Sequence, residues 1–376
     1  MKLANCSVNM EIKPDTATSG IDPRELLLRK YGGSSLSYSS LQEGMDFFLE
    51  PTYGYIAYSP VKVDIERLLC LADPICSDEN LEQLLKIFLE KHKGAVFIHI
   101  TRNTARALVK LGYVINEIGV ETKIDVQSFK LVGRGKEFLR SQRNRAAKDG
   151  LIVREQLCSE VPLQSLREIS AQWKAKKVNS QDLSFLVRPA LFQDETDVRK
   201  FFAYQNDRLV GFNFFDPIYK NGQIIGYLDN AHRNASGYSY SIPDCINLEA
   251  IRQFQMEGKE TLSLGFSAFH ALNDSGEFHY SRGLNKTLKY FYEHCDFLYD
   301  FKGAAFHKSR YRPGTEGCQE IKIYCACPSP VHILQMDKVF KKCGIDPVKR
   351  MAERGLHWGI AVGVPRIKTI QPERRL

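Results

Sequence analysis

The run Asp229-Asn-Ala-His-Arg233 sets a carboxylate, an imidazole and a guanidinium close together in sequence, and those three groups can carry out acyl transfer. Moving an acyl group from an ester to a hydroxyl or amine needs three things: an acceptor held near the carbonyl, a group to take its proton, and donors facing the developing oxyanion. In an extended strand, residues 229, 231 and 233 share a face. That predicts Asp229 and Arg233 jointly gripping the α-amino group and carbonyl oxygen of an aminoacyl ester. His232 is the candidate base, although the same alternation points it the other way unless the strand has already ended. The plain alternative is an Asp/Arg ion pair capping a strand.

A second cationic group, Lys302, His307, Lys308, Arg310 and Arg312, precedes Pro313-Gly314. Lys308 and Arg310 are candidates for binding a phosphate of a tRNA terminus or a lipid head group; three cations on an exposed loop would be ordinary surface. Tyr238 and Tyr240 have the spacing of a substrate wall, which is also common in hairpins. Arg134, Lys136, Arg140, Arg143, Arg145 and Lys148 crowd a third region. In a helix from Lys136 to Lys148, Lys136, Arg140 and Arg143 would form one stripe, suited to tRNA phosphates, anionic lipid or an acidic carrier protein, or simply a solvated face.

Other chemistries find less support. Cys325-Ala-Cys327 is the only close cysteine pair; two packed strand thiols are expected there, and no metal site. There is no Gly-x-Ser-x-Gly elbow for a serine nucleophile and no P-loop. Arg233-Asn-Ala-Ser-Gly237 has the Arg and Gly of a coenzyme A pyrophosphate loop at the wrong spacing, which argues against that donor.

The elements that must position these residues can be read from pattern. Val198–Tyr204, Leu209–Phe215 and Gln223–Leu228 alternate as strands, broken at Gln205-Asn-Asp-Arg208 and at Asn221-Gly222, turns whose residues tolerate φ > 0. A Gly/Ser/Tyr loop leads to a helix carrying Leu248, Ile251 and Phe254 at helical spacing, then to the strand Thr261–Phe266. Upstream, Thr52–Tyr58, Ile65–Ala72, Ala95–Ile100, Tyr113–Val126 and Leu151–Arg154 are predicted strands. Glu79–His92, Thr104–Leu111 and Leu163–Lys176 are predicted helices. The expectation is an α/β chain of mixed sheets in four parts: a flexible arm (1–30), two lobes (31–177 and 178–330, the second catalytic), and a helical, basic extension (331–376). With 376 residues, 43% hydrophobic content and a net charge of +8, the chain can bury ample core. It offers no apolar run of about 20 residues to span a bilayer and no signal-peptide core, so a cytoplasmic protein is expected.

The order strand, strand, strand, loop, helix, strand resembles the GNAT acyltransferase superfamily, where the helix N-terminus after the long strand receives the donor's phosphates. More specifically, a series of local patterns resembles the soluble C-terminal catalytic region of lysyl-phosphatidylglycerol synthases (DUF2156). These are Leu71-Ala-Asp-Pro74, Glu117-Ile-Gly-Val-Glu-Thr-Lys-Ile-Asp125, the basic segment Leu139–Arg145, Trp173 with Lys176, Asp182 and Phe185, Asp229–Arg233, Leu262-Ser-Leu-Gly265, and Tyr299-Asp-Phe-Lys-Gly303 with Lys308 and Arg310. The resemblance implies two tandem GNAT lobes that transfer an aminoacyl group from aminoacyl-tRNA to a phospholipid or other small acceptor, with no covalently bound cofactor and no DNA partner. It implies catalytic roles for Asp229, Arg233 and His232 and substrate contacts for Asp182, Tyr238, Tyr299, Lys302, Lys308 and Arg310. Lys136, Arg140 and Arg143 would meet tRNA, lipid or carrier phosphates, with peripheral contact at the inner face of an anionic membrane. The chain departs from the family in spacing Asp229 and Arg233 four apart rather than three, in carrying Asp182 for Glu, and in lacking the membrane helices. Two other readings stand beside this one: an N-acyltransferase using acyl carrier protein or acyl-coenzyme A, and a non-catalytic module binding tRNA or membrane.

Overall fold

A computed structural model of the protein describes residues 22–61, 67–177, 184–273, 276–329 and 333–353. Asp182, most of the N-terminal arm and the basic tail lie outside them. The first half runs α1 (Pro23–Tyr31), β1 (Asp46–Glu50), β2 (Gly54–Val61), β3 (Arg67–Leu71), β4 (Ile75–Cys76), α2 (Leu81–Lys91), β5 (Val96–Ile100), α3 (Arg102–Lys110) and β6 (Val114–Asp125). The chain continues through α4 (Glu137–Lys148), β7 (Ile152–Glu155) and α5 (Leu163–Lys174). The second half is β8 (Arg199–Gln205), β9 (Arg208–Lys220), β10 (Gln223–Asn234), α6 (Ile242–Met256), β11 (Thr261–Ala268), α7 (Arg282–His294), α8 (Phe301–Ser309) and β12 (Cys318–Cys327), with α9 (Ile333–Lys342) and α10 (Pro347–Glu353) after it.

The two hairpin turns form where the sequence places them. Asn206 and Asp207 have φ of 49° and 59°, and Asn221 and Gly222 have 52° and 81°, the doubly positive pair that a two-residue hairpin with native twist requires. The strands they join are longer than the alternation alone suggests. β10 continues through the whole Asp229–Arg233 cluster, so those residues belong to a strand and not to the loop after it. β1, α7 and α8 had no counterpart in the sequence reading.

Among the described residues, twelve strands form one mixed sheet in the order β1-β2-β3-β5-β12-β6-β11-β10-β9-β8-β7, with β4 added on β2. Each half contains a parallel pair bridged by a helix, β3 with β5 across α2 and β10 with β11 across α6. The final strand of each half is exchanged. β12 lies on β5, β6 lies on β11, and the two run antiparallel to each other at the centre. One continuous sheet therefore runs across the expected boundary at 177/178.

Burial follows strand alternation. Tyr227 and Leu262 pack with Ile246, Ile251 and Phe254 of α6 on one face, and Phe212, Phe214 and Ala231 pack with Leu166 and Ile169 of α5 on the other. Cys325 and Cys327 are buried in the central core with Ile98, Leu228 and Phe291, as two packed strand thiols should be. At Gly226 a Cβ would come within 2.0 Å of the Thr261 carbonyl oxygen. That close approach of β10 to β11 requires glycine.

Candidate active site

β10 and β11 pair only over Gly226–Leu228 and Thr261–Ser263. Beyond those residues the strands diverge, and two irregularities drive them apart. In β10, Asp229 faces Phe215 and Ala231 faces Phe214, leaving Asn230 as an extra residue. In β11 the register slips between Ser263 and Phe266, with Gly265 at φ 81°. Bulges of this kind bend a strand and re-aim its side chains. The bulge in β10 is pinned by its own side chain: Asn230 Nδ2 donates to the Arg188 carbonyl at 2.9 Å, and the Arg188 amide donates back to Asn230 Oδ1 at 3.2 Å.

The extra residue overturns the alternation expected for the cluster. Asp229 and His232 now share the α6 face, and Ala231 and Arg233 share the α5 face. The side chains agree. Asn247 of α6 donates to Asp229 Oδ2 at 2.9 Å, and His232 Nδ1 lies 3.7 Å from the same oxygen. Arg233 instead lays its guanidinium 3.9 Å over the Trp173 ring on α5. The joint grip by Asp229 and Arg233 on one face is replaced by a carboxylate–imidazole pair facing a cation on an aromatic plate, and the objection to His232 disappears.

These residues line a cavity of about 500 Å3 in the opened wedge. Asp229 is buried, with Asn247 held in turn by Asn213 at 2.9 Å. Its Oδ1 has no hydrogen-bond partner among the described residues. The amide pair Asn213/Asn247 thus fixes one carboxylate oxygen and leaves the other for a ligand. Lys308 enters from α8, its ammonium donating to the Phe266 carbonyl at 2.5 Å and to Ser267 Oγ at 3.3 Å. Two of its three N–H groups are thereby used. Burial pulls the Lys308 pKa down to about 8, against the charges of Asp229, Glu121 and Glu320, which favour the ammonium.

Next to this pair stands a second network that the sequence reading missed. His307 packs its ring 5.9 Å from that of His232 and places Nε2 3.0 Å from Asp244 Oδ1. Asp244 also accepts from the Tyr311 hydroxyl at 2.9 Å and from Arg310 at 3.2 Å. Burial pushes the Asp244 carboxyl up, but the His307 hydrogen bond and charge more than offset it, and the net position is below the usual carboxylate range. Asp244 sits in the first turn of α6, behind the N-cap Ser241. The helix N-terminus expected to receive donor phosphates is thus already filled by a buried carboxylate, and a pyrophosphate there would meet a like charge.

The other sequence candidates divide clearly. Tyr299 lines the cavity. Lys308 also lines it, buried on a helix and not exposed on a loop. Lys302 turns away, bound to the Glu293 carbonyl at 2.8 Å and paired with Glu293 at 3.3 Å. Arg310 serves Asp244 and stacks on Phe138 at 4.5 Å. Tyr240 is buried in the core with Tyr238 packed against it, their rings 5.6 Å apart, so they form no wall of the cavity. Lys136 stands at the N-cap position of α4, just outside the helix, and is buried 3.7 Å over the Phe129 ring, which removes it from the expected stripe. Arg140 folds back on the Gly133 carbonyl at 2.6 Å, and Arg143 stays exposed. Among the described residues no group of three or more His, Cys, Asp or Glu is placed to hold a metal ion, and no helix is long and apolar enough to cross a membrane.

A family model described as "Phosphatidylglycerol lysyltransferase, C-terminal" matches residues 24–325. The phosphatidylglycerol lysyltransferase of Bacillus subtilis is 24% identical over 309 residues, 79% of this chain and 34% of its own length. That of Staphylococcus aureus strain MRSA252 is 23% identical over 311 residues, 80% and 35% respectively. The chain therefore spans about a third of the curated relatives it matches. Solved structures share its fold. The L-PGS of Bacillus licheniformis superposes with a TM-score of 0.69 at 20% identity, covering 86% of this chain and 96% of that one. The C-terminal domain (DUF2156) of a putative lysylphosphatidylglycerol synthetase from Agrobacterium fabrum gives 0.65 at 16% identity with the same coverage.

Proposed function

The chain belongs to the phosphatidylglycerol lysyltransferase C-terminal family, and from that premise we propose that it moves an aminoacyl group from aminoacyl-tRNA to the hydroxyl of a phospholipid or similar amphiphile. The observation that carries the reading is the bulge at Asn230, which brings Asp229 and His232 together in the wedge between β10 and β11. His232, its Nδ1 3.7 Å from Asp229 Oδ2, takes the proton from the acceptor hydroxyl as its oxygen bonds to the ester carbonyl carbon. Asp229 Oδ1 receives the α-ammonium of the aminoacyl group. The third N–H of Lys308 meets the oxyanion of the tetrahedral intermediate, inside a cavity where charge is weakly screened. When the intermediate collapses, the bond to the tRNA ribose oxygen breaks and that oxygen takes the proton back from His232. One ester replaces another, and no net proton is released.

Arg233 on Trp173 offers a cation on a flat apolar support, suited to a phosphate of either substrate. Exposed Arg143, with Arg140 beside it, is the remaining part of the basic surface where tRNA or an anionic lipid surface would dock. A fatty-acyl donor is the second reading, favoured by the apolar interior of the cavity; Asp244 at the α6 N-terminus counts against delivery by coenzyme A phosphates.

The deciding experiment incubates the purified chain with charged total tRNA and phosphatidylglycerol vesicles and analyses the lipid by mass spectrometry. A new lipid heavier by one amino-acid residue, lost with ribonuclease and with Asp229→Asn, is the expected result. A product that requires an acyl thioester and survives ribonuclease would transfer the assignment to N-acylation. No product with any donor, together with salt-sensitive tRNA or vesicle binding, would leave a binding module.

A further inference from the structure

The wall of the cavity has two characters. Around the reacting groups it is polar and reaches solvent: the His232 side chain is 37% exposed and that of His307 24%. Elsewhere it is apolar and closed, lined by Leu36, Ile98, Ile118, Leu228 and Phe301. The closing residues are Val339 and Phe340 of α9 with Cys343 and Ile345 just after it, exposed by only 7, 6, 9 and 5%. All four lie beyond residue 325, where the family match ends. These four close a cavity whose other apolar lining residues lie within the matched region.

The wall is firmly anchored. Phe340 packs edge-on against Phe269 and Phe291 at 6.0 and 5.6 Å. The Lys342 carbonyl accepts from Ser184 Oγ at 2.7 Å, and its ammonium donates to Ser59 Oγ at 2.7 Å, so α9 is tied to both halves. A volume of about 500 Å3 falls in the range of small-molecule pockets, roughly 300–1,000 Å3. It has room for a head group and part of one chain.

We propose that α9 and the residues just after it form the blind end of a subsite for one alkyl chain of the acceptor, and that Phe340 sets how long a chain is accepted. The inference rests on the reading above that the acceptor is an amphiphile whose hydroxyl reaches His232. A chain entering past the polar mouth gains affinity with each methylene it buries until it meets Phe340, and nothing beyond that point.

The test is calorimetric titration of the full chain with single-tailed lysophosphatidylglycerols of graded tail length, below their micellar concentrations. Affinity should rise by up to about fourfold per methylene and then break to a plateau. Phe340→Ala should move the break to longer tails, and Phe340→Trp to shorter ones. The opposite signs keep the result readable if one variant folds poorly. Affinity that climbs without a break in the unmodified protein, or a break that all three proteins share, overturns the proposal. So does a break seen only with acyl thioesters, because the chain would then belong to the donor. The same lipids are also offered with charged tRNA. A moving break without transfer sinks the aminoacyl reading alone, and transfer without a break sinks the length gauge alone.

Discussion

The two halves of the molecule build the same wedge and put it to different use. In the first, β3 and β5 pair over Leu69–Leu71 and Val96–Ile98 and then part, with Ala72 and His99 at φ of 60° and 62°. In the second, β10 and β11 part just after Leu228 and Ser263. Each wedge has an aspartate at its opening, Asp73 in one and Asp229 in the other. Asp73 accepts from the Thr101 backbone amide at 2.9 Å, at the N-cap of α3, and burial raises its pKa against the hydrogen bonds of Thr104 and Thr101. Among the described residues, Asp229 accepts from the Asn247 side chain and from no helix N-terminal amide. The cause is the length of chain that follows. A single residue, Thr101, separates β5 from α3, so the helix N-terminus fills the gap. Residues 269–281 separate β11 from α7, and among the described residues α7 sends no backbone amide to Asp229. The same strand geometry yields a structural joint where the connection is short and an open cavity where it is long.

The largest effect that tests this contrast is Asp229→Asn. Transfer should fall by roughly 10²–10⁴-fold with little change in thermal unfolding; retained activity would erase the distinction between the wedges. Lys308→Met should lower transfer by about 10²–10³-fold and at the same time stabilise the protein. The sign follows from the depressed pKa. The buried ammonium costs stability below about pH 8, and that cost is relieved as pH rises from there towards the unfolded value. In the proposed mechanism the ammonium is the working form, so kcat/KM of the unmodified protein should decline as pH passes about 8. A Lys308→Met protein of unchanged or lower stability at pH 7 would contradict the burial argument.

Asp73→Ala supplies the mirror experiment. It should cost about 1–3 kcal/mol of stability, read by urea titration, and leave transfer per folded molecule unchanged. A selective loss of activity would mean that the first wedge also takes part in chemistry. The smallest effect is expected at Arg143→Ala. Removing one exposed phosphate contact should weaken tRNA or anionic-vesicle binding a few-fold and flatten its salt dependence by about one unit of log–log slope.

What the sequence disclosed depended on whether the signal was local. Asn206-Asp207 and Asn221-Gly222 announced their turns, and the spacing of Leu84, Leu85 and Phe88 announced α2, because turn chemistry and helical periodicity are written in adjacent residues. The Asn230 bulge was invisible. Nothing in Asp229-Asn-Ala-His-Arg233 marks which residue is left unpaired, and one extra residue reverses every later side chain. Asp244 drew no notice in the sequence, because its partner His307 lies far along the chain. Lys302 and Lys308 were both expected to contact substrate; the α8 helix turns one to the surface and the other into the cavity. The pairing of β12 with β5 depends on contacts between distant segments, which no local pattern records.

That exchange of final strands carries a consequence for how the protein is made. β5 ends at Ile100, and its partner β12 begins at Cys318. At ribosomal speeds of about 5–20 residues per second, the early part of the sheet waits roughly ten to forty seconds for the strand that completes it. During that interval β5 presents one open edge on the nascent chain. The two halves therefore mature together, only once Cys318–Cys327 has been made, and a ribosome that stalls before Cys318 leaves both unfinished.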